Sequence, residues 1–134
     1  MVDKITEDVI GDLVAQAKNS PRLRMNLDLR DSVSDNSQRM LNAIEPDSKV
    51  PVHRHRNSSE TVFCLRGRIV ENLFDDNQVC TESVELSPTG PVFAMNIPVG
   101  RWHTVRSLES GTVILEVKNG RYEPTKEEDI IMMI

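Results

Sequence analysis

The sequence predicts a mainly β protein, an antiparallel β-barrel or jelly roll with a short N-terminal helix. From Gln38 onward, short strand-like segments follow one another with turn residues between them and no helical periodicity. All three histidines fall in two short motifs, HRHRNSSE and IPVGRWHT, which only a closed fold brings together. At 134 residues the chain suits one core and not two. It reads as a single domain, with 1–37 a helix and edge segment, 38–120 the barrel and 121–134 a tail.

The pattern predicts a helix over residues 6–18. Thr6 is placed to N-cap it, Ile5 and Ile10 form a hydrophobic staple, and Ile10, Leu13, Val14 and Ala17 make one stripe. Asn19-Ser20-Pro21 ends it. Arg22–Asp31 alternates loosely as an extended edge strand, with Leu23, Met25, Leu27 and Leu29 on one face and Arg22, Arg24, Asn26 and Asp28 on the other. Ser32–Ser37 is a polar loop.

Strands are then expected at Gln38–Glu45, Val50–His55, Glu60–Arg66, Arg68–Phe74, Gln78–Leu86, Val92–Ile97, Trp102–Leu108 and Thr112–Lys118. Pro46-Asp47-Ser48, Asp75-Asp76-Asn77, Ser87–Gly90 and Glu109-Ser110-Gly111 supply turns. Thr61–Leu65 is apolar on both parities, so both faces of that strand call for cover, by the N-terminal segment or by a second subunit. In the tail, Thr125–Glu128 has the form of a capping box before the apolar Ile130–Ile134, which reads as helical and favours burial. The two apolar features together predict a homodimer.

The histidine spacing carries the chemistry. On a strand, residues i and i+2 share a face roughly 6.5 Å apart. His53 and His55 are then placed to lean onto one ion at about 2.0–2.1 Å per metal–nitrogen bond. Glu60 returns from the next strand to add an oxygen, and His103 arrives from a distant one. Three neutral imidazoles and one carboxylate hold a divalent ion with positions left open. Such a ligand set suits Fe, Mn, Ni or Zn and retains positive charge, which favours an anionic or oxygen-rich ligand.

HxH-x4-E-x6-G, from His53 to Gly67, followed by PxG-x2-H at Pro98, Gly100 and His103, resembles the two cupin motifs. That resemblance implies a metal-ligand role for His53, His55, Glu60 and His103. The chain departs from the pattern at Asp47 and Ser107, where cupins often carry Gly and Asn. The segments SPRLRMN, QRMLNAIEP, FDD, IPVGRWHT and EVKNGRY are similar to those of WbuC-type cupin metalloproteins of bacteria, across nearly the whole chain. The resemblance implies a link to surface-polysaccharide (O-antigen) gene clusters and an activated sugar as one candidate substrate.

Composition narrows the partners. Net charge is −5, which argues against nucleic acid. No apolar run nears the ~20 residues of a membrane helix, and the N-terminus has no signal-peptide pattern, so a cytoplasmic address is expected. Cys64 and Cys80 are too few for a disulfide framework and are expected to be reduced. Arg outnumbers Lys 11 to 5, and Arg suits carboxylate or phosphate. Arg22, Arg24 and Asn26 are candidate substrate contacts across the barrel mouth. Glu116 and Lys118 share a strand face and, with Tyr122, are candidate proton-transfer groups; a cross-strand ion pair and a surface loop are the plainer readings. Gly67, Pro98 and Gly100 read as turn formers, and Trp102 as packing.

Two functions fit. One is a metalloenzyme acting on a small oxygenated or anionic substrate, as an isomerase or epimerase or a dioxygenase. The other is a non-catalytic module whose metal holds a sugar or carboxylate. A general acid or base beside the metal favours the enzyme; a lining of hydrogen-bond donors alone favours the module.

Overall fold

Helix α1 spans Glu7–Asn19 because its start is chemically marked: the Thr6 hydroxyl accepts from the Val9 amide at 3.2 Å, and Glu7 and Asp8 lie in the positive first turn. The computed structural model describes residues 2–131. Ile5 stays 42% exposed, so a staple with Ile10 adds little burial.

The strands are β1 (Arg24–Asp28), β2 (Ser37–Ile44), β3 (Val52–His53), β4 (Glu60–Arg66), β5 (Ile69–Phe74), β6 (Cys80–Leu86), β7 (Ala94–Ile97), β8 (Trp102–Ser107), β9 (Thr112–Asn119) and β10 (Ile130–Ile131). They form two antiparallel five-stranded sheets, ordered β1-β2-β9-β4-β7 and β10-β3-β8-β5-β6. This is the expected jelly-roll architecture with one short helix. Among the described residues no helix is long and apolar enough to cross a membrane.

Period-two alternation explains the layers. One face of β1, β2 and β9 offers Met25, Leu27, Leu41, Ala43, Val113 and Leu115 to Leu13, Val14 and Ala17 of α1. The opposite parity faces the space between the sheets. There Ile44, Val62, Cys64, Ile97 and Ile114 meet Ile69, Leu86 and Val105 in a buried core. Each fully buried aliphatic side chain contributes about 1.5–3 kcal/mol relative to exposure. Gly67 follows β4 at φ +79, where an added Cβ would run into Thr112. Cys64 and Cys80 are both free.

Two expectations need correction. Val50–His55 is not one strand: only Val52–His53 pairs, Pro51 offers no amide to the ladder, and the Arg54 amide instead donates to Asp129 O at 3.0 Å. The tail is not an α-helix with a Thr125 capping box. Lys126 precedes a single 3-10 turn, Glu127–Asp129, without a side-chain cap, and the chain then extends as β10 against β3. Pairing Ile130 with His53 and burying Asp129 wins over a helix with no core to pack on. Residues 132–134 of the expected apolar tail lie outside the described residues.

Candidate metal centre

Strand register brings the two motifs together. His53 on β3 is directly paired with His103 on β8, and their ring centroids are 4.5 Å apart. His55 lies just beyond β3, held in place by the Gly100 amide, which donates to its carbonyl at 2.8 Å. The Pro98–Gly100 turn of the second motif thus clamps the first. Glu60 opens β4, opposite Ile97 on β7 and Lys118 on β9.

The three imidazoles offer nitrogens that all lie within 4.8 Å of one another. His53 Nδ1 sits 2.8 Å from Pro51 O, and His103 Nδ1 sits 2.8 Å from Arg101 O. A carbonyl only accepts, so both Nδ1 atoms carry the proton and both Nε2 atoms keep a lone pair. Burial, above all, lowers the pKa of His53, His55 and His103 to about 4, so the rings are neutral at neutral pH. Glu60 is 3% exposed; its Oε2 lies 3.2 Å from His55 Nε2 and 3.8 Å from His103 Nε2. These three buried atoms have no hydrogen-bond partner. Two imidazole nitrogens with free lone pairs, His53 and His103 Nε2, gathered with His55 and the Glu60 carboxylate, fit a cation, and the N3O set suits a divalent metal. The residues therefore fit the expected ion; its identity is open among the N/O-binding metals.

Around these ligands the placement is mixed. Lys118 Nζ lies 3.7 Å from Glu60 Oε2, and Glu116 Oε1 accepts from Asn42 Nδ2 at 3.2 Å. Burial, then the Glu60 charge, raises the Glu116 pKa to about 7. Glu116, Lys118 and Tyr122 line one cleft of about 220 Å³ with Asn26 and Asp28. Arg22 and Arg24 are elsewhere: the Arg22 carbonyl accepts from Ser48 Oγ, and the Arg24 guanidinium donates to Ser48 Oγ and Lys49 O. Arg24 pairs with Ile44, at the end of the sheet far from Lys118, so of the three expected substrate contacts only Asn26 reaches the cleft. Trp102 packs under the Arg54 guanidinium at 4.4 Å.

Two residues escaped the sequence reading. Glu71 is 1% exposed with Oε2 unpartnered, and burial with the neighbouring Glu60 and Glu116 charges raises its pKa well above the usual carboxylate value. Its signal was an acid on the apolar parity between Ile69 and Leu73. Asp129, 5% exposed, accepts from Arg54 Nε at 2.8 Å and Arg56 Nε at 2.6 Å, bracketing His55. Nothing local marked it.

A family model described as "Domain of unknown function (DUF6016)" matches residues 5–86. No curated protein matches the sequence. Solved structures are similar in fold. KdgF from Halomonas sp. aligns with TM-score 0.62 at 14% identity, over 77% of this chain and 84% of that one. TT1209 from Thermus thermophilus aligns with TM-score 0.61 at 23% identity, over 77% and 89%. Bacillus subtilis oxalate decarboxylase, described with Mn(II) centres, aligns with TM-score 0.58 at 16% identity; 82% of this chain is covered but only 28% of that longer protein. The shared architecture is the cupin fold that the two histidine motifs led one to expect.

Proposed function

The chain belongs to the DUF6016 family, and for it we propose a metal-dependent enzyme acting on a small oxygenated or anionic substrate. His53, His55, His103 and Glu60 would hold one divalent ion. Bound there, the ion supplies Lewis-acid polarisation of a substrate oxygen. The observation that carries the reading is the trio of buried, unpartnered atoms, His55 Nε2, His103 Nε2 and Glu60 Oε2, the two nitrogens lying 3.2 and 3.8 Å from the oxygen.

Glu116 favours an enzyme over a passive module. It stands beside the ligands with a pKa of about 7, suited to taking or giving a proton at neutral pH. Lys118 lies next to Glu60, and Tyr122 and Asn26, which line the cleft, would orient a substrate there. The oxalate decarboxylase of B. subtilis, by its name, acts on a small oxygen-rich anion and has Mn(II) centres, which is the same chemical class. The WbuC-type resemblance adds sugar-linked substrates and a polysaccharide gene cluster to this proposal. The test is to screen the metal-loaded protein against nucleotide sugars, sugar phosphates and small keto acids, then to assay turnover of each binder. A tight binder returned unchanged, with each metal and with or without oxygen, would hand the site to the binding-module reading.

We also propose a homodimer formed over β4. Helix α1 covers β1, β2 and β9, leaving Phe63 at 38%, Leu65 at 37% and Phe93 at 57% exposure. Light scattering should give twice the chain mass; 15.2 kDa at micromolar concentration would refute it.

A further inference from the structure

Beside the histidines a second cleft, of about 170 Å³, opens between the 54–58 loop and the 119–126 strap, and His55, Lys118 and Tyr122 reach it. We propose that this cleft binds the phosphate group of a small molecule, a phosphate monoester or phosphate itself, while the rest of the molecule extends toward His55. The inference deepens the functional proposal above and rests on its placement of the reactive centre.

Charge complementarity is the first ground. The chain as a whole carries −5. Yet five cationic side chains line this cleft, Arg54, Arg56, Lys118, Arg121 and Lys126, against the carboxylates of Glu123 and Asp129. A concave site of one sign in a molecule of the other attracts a ligand of opposite charge. In the neighbouring cleft Arg30 is paired with Asp28 at 2.7 Å and Arg39 with Asp35 at 3.0 Å, while Lys118 borders both clefts and lies 3.7 Å from Glu60 Oε2.

The second ground is how the arginines are held. Both Nε atoms donate to one oxygen, Asp129 Oδ1, at 2.8 and 2.6 Å, and that carboxylate is 5% exposed. One buried carboxylate fixes two guanidinium groups; Arg56 also has Glu128 Oε1 at 3.8 Å, and Arg121 and Lys126 add positive charge with no ion pair among the described residues. A guanidinium held through Nε keeps terminal N–H groups for another acceptor. Arg54 is further fixed over Trp102. Fixed guanidinium donors with surplus positive charge match the several acceptor oxygens and double charge of a phosphate better than a monocarboxylate.

The experiment titrates inorganic phosphate, with acetate as the monoanion arm, into the metal-loaded intact chain, followed by amide chemical shifts and calorimetry at low ionic strength. Phosphate should shift amides of residues 54–58 and 119–126 and bind more tightly than acetate. The R121A/K126A double variant, at two exposed positions, should bind phosphate about tenfold more weakly, a change of about 1.4 kcal/mol. Lys18→Ala on α1 should change nothing. Removing the metal with a chelator should leave phosphate binding in place. Phosphate that binds only when metal is present, with R121A/K126A unaffected, would overturn this inference and leave the metal site standing. Metal retained in H53A/H55A with phosphate binding intact would do the reverse. Absence of phosphate binding, or equal binding of acetate, also overturns it.

Discussion

The two ends of the barrel interior are made from the same strands and have opposite characters. β9 supplies Ile114 to the dry end and, on the same face, Glu116 and Lys118 to the polar end. β4 runs from Cys64 through Val62 to Glu60, and β8 from Val105 to His103. The dry end is mainly aliphatic, the buried hydroxyls of Ser107 and Thr112 both donate to Glu109 O, and burial raises the Cys64 thiol to about 11, leaving it inert. At the polar end buried polar atoms lack partners, each costing about 1–3 kcal/mol in a metal-free chain. The comparison teaches that one rigid ladder carries both jobs: packing at one end holds in place the unsatisfied groups at the other.

The largest break in this contrast should come from His53→Ala with His55→Ala. Bound metal should fall from one ion per chain to none by elemental analysis, with the circular dichroism of the barrel unchanged. Full metal content in that variant would mean that the ligands are misassigned.

Ile114→Ala attacks the other end. A cavity at a fully buried position should cost about 2–5 kcal/mol in urea denaturation. A loss below ~1 kcal/mol would show that the dry end is not what holds the ladder.

Acid should separate the ends more gently. The folded histidines titrate near 4, below the ~6.5 of an unfolded imidazole. The unfolded chain therefore binds more protons between those values. The metal-free protein should lose stability as pH falls from about 6.5 toward 4, by at most about 1.4 kcal/mol per histidine per pH unit. Glu71 and Glu116, with raised pKa values, act in the opposite direction: the folded state keeps their protons, and that stability is lost as pH rises through their folded values. Glu71→Gln removes one opposing contribution and should steepen the acid loss. Denaturation midpoints of the metal-free chain that do not move between pH 4.5 and 6.5 would contradict both statements.

The smallest effect is expected at the strap. Asp129→Ala frees Arg54 and Arg56 on either side of His55, and chelator competition should find metal binding about tenfold weaker. An unchanged affinity would detach the strap from the metal end.

The sequence by itself determined most of the elements and the candidate ligand types. A short apolar run between the polar Arg56–Ser59 turn and Gly67 marked β4 at Glu60–Arg66 to the residue, and the Thr6 cap marked α1. Local patterns of this kind are legible because side-chain direction depends only on the chain's own period. Three histidines and one acid at metal-site spacing made a divalent ion the expectation before any strand was placed. Only the tertiary structure decided which partners met. The His53–His103 pairing joins residues far apart in sequence through strand register, as does Gly100 holding His55. It also moved Arg24 to the wrong end of the sheet for the site, and brought Asn42 to Glu116. Thr125–Glu128 misled for the same reason: a capping pattern is local, but β10 gains a ladder on β3 and a buried Asp129 between two arginines, neither of which exists until the barrel has closed.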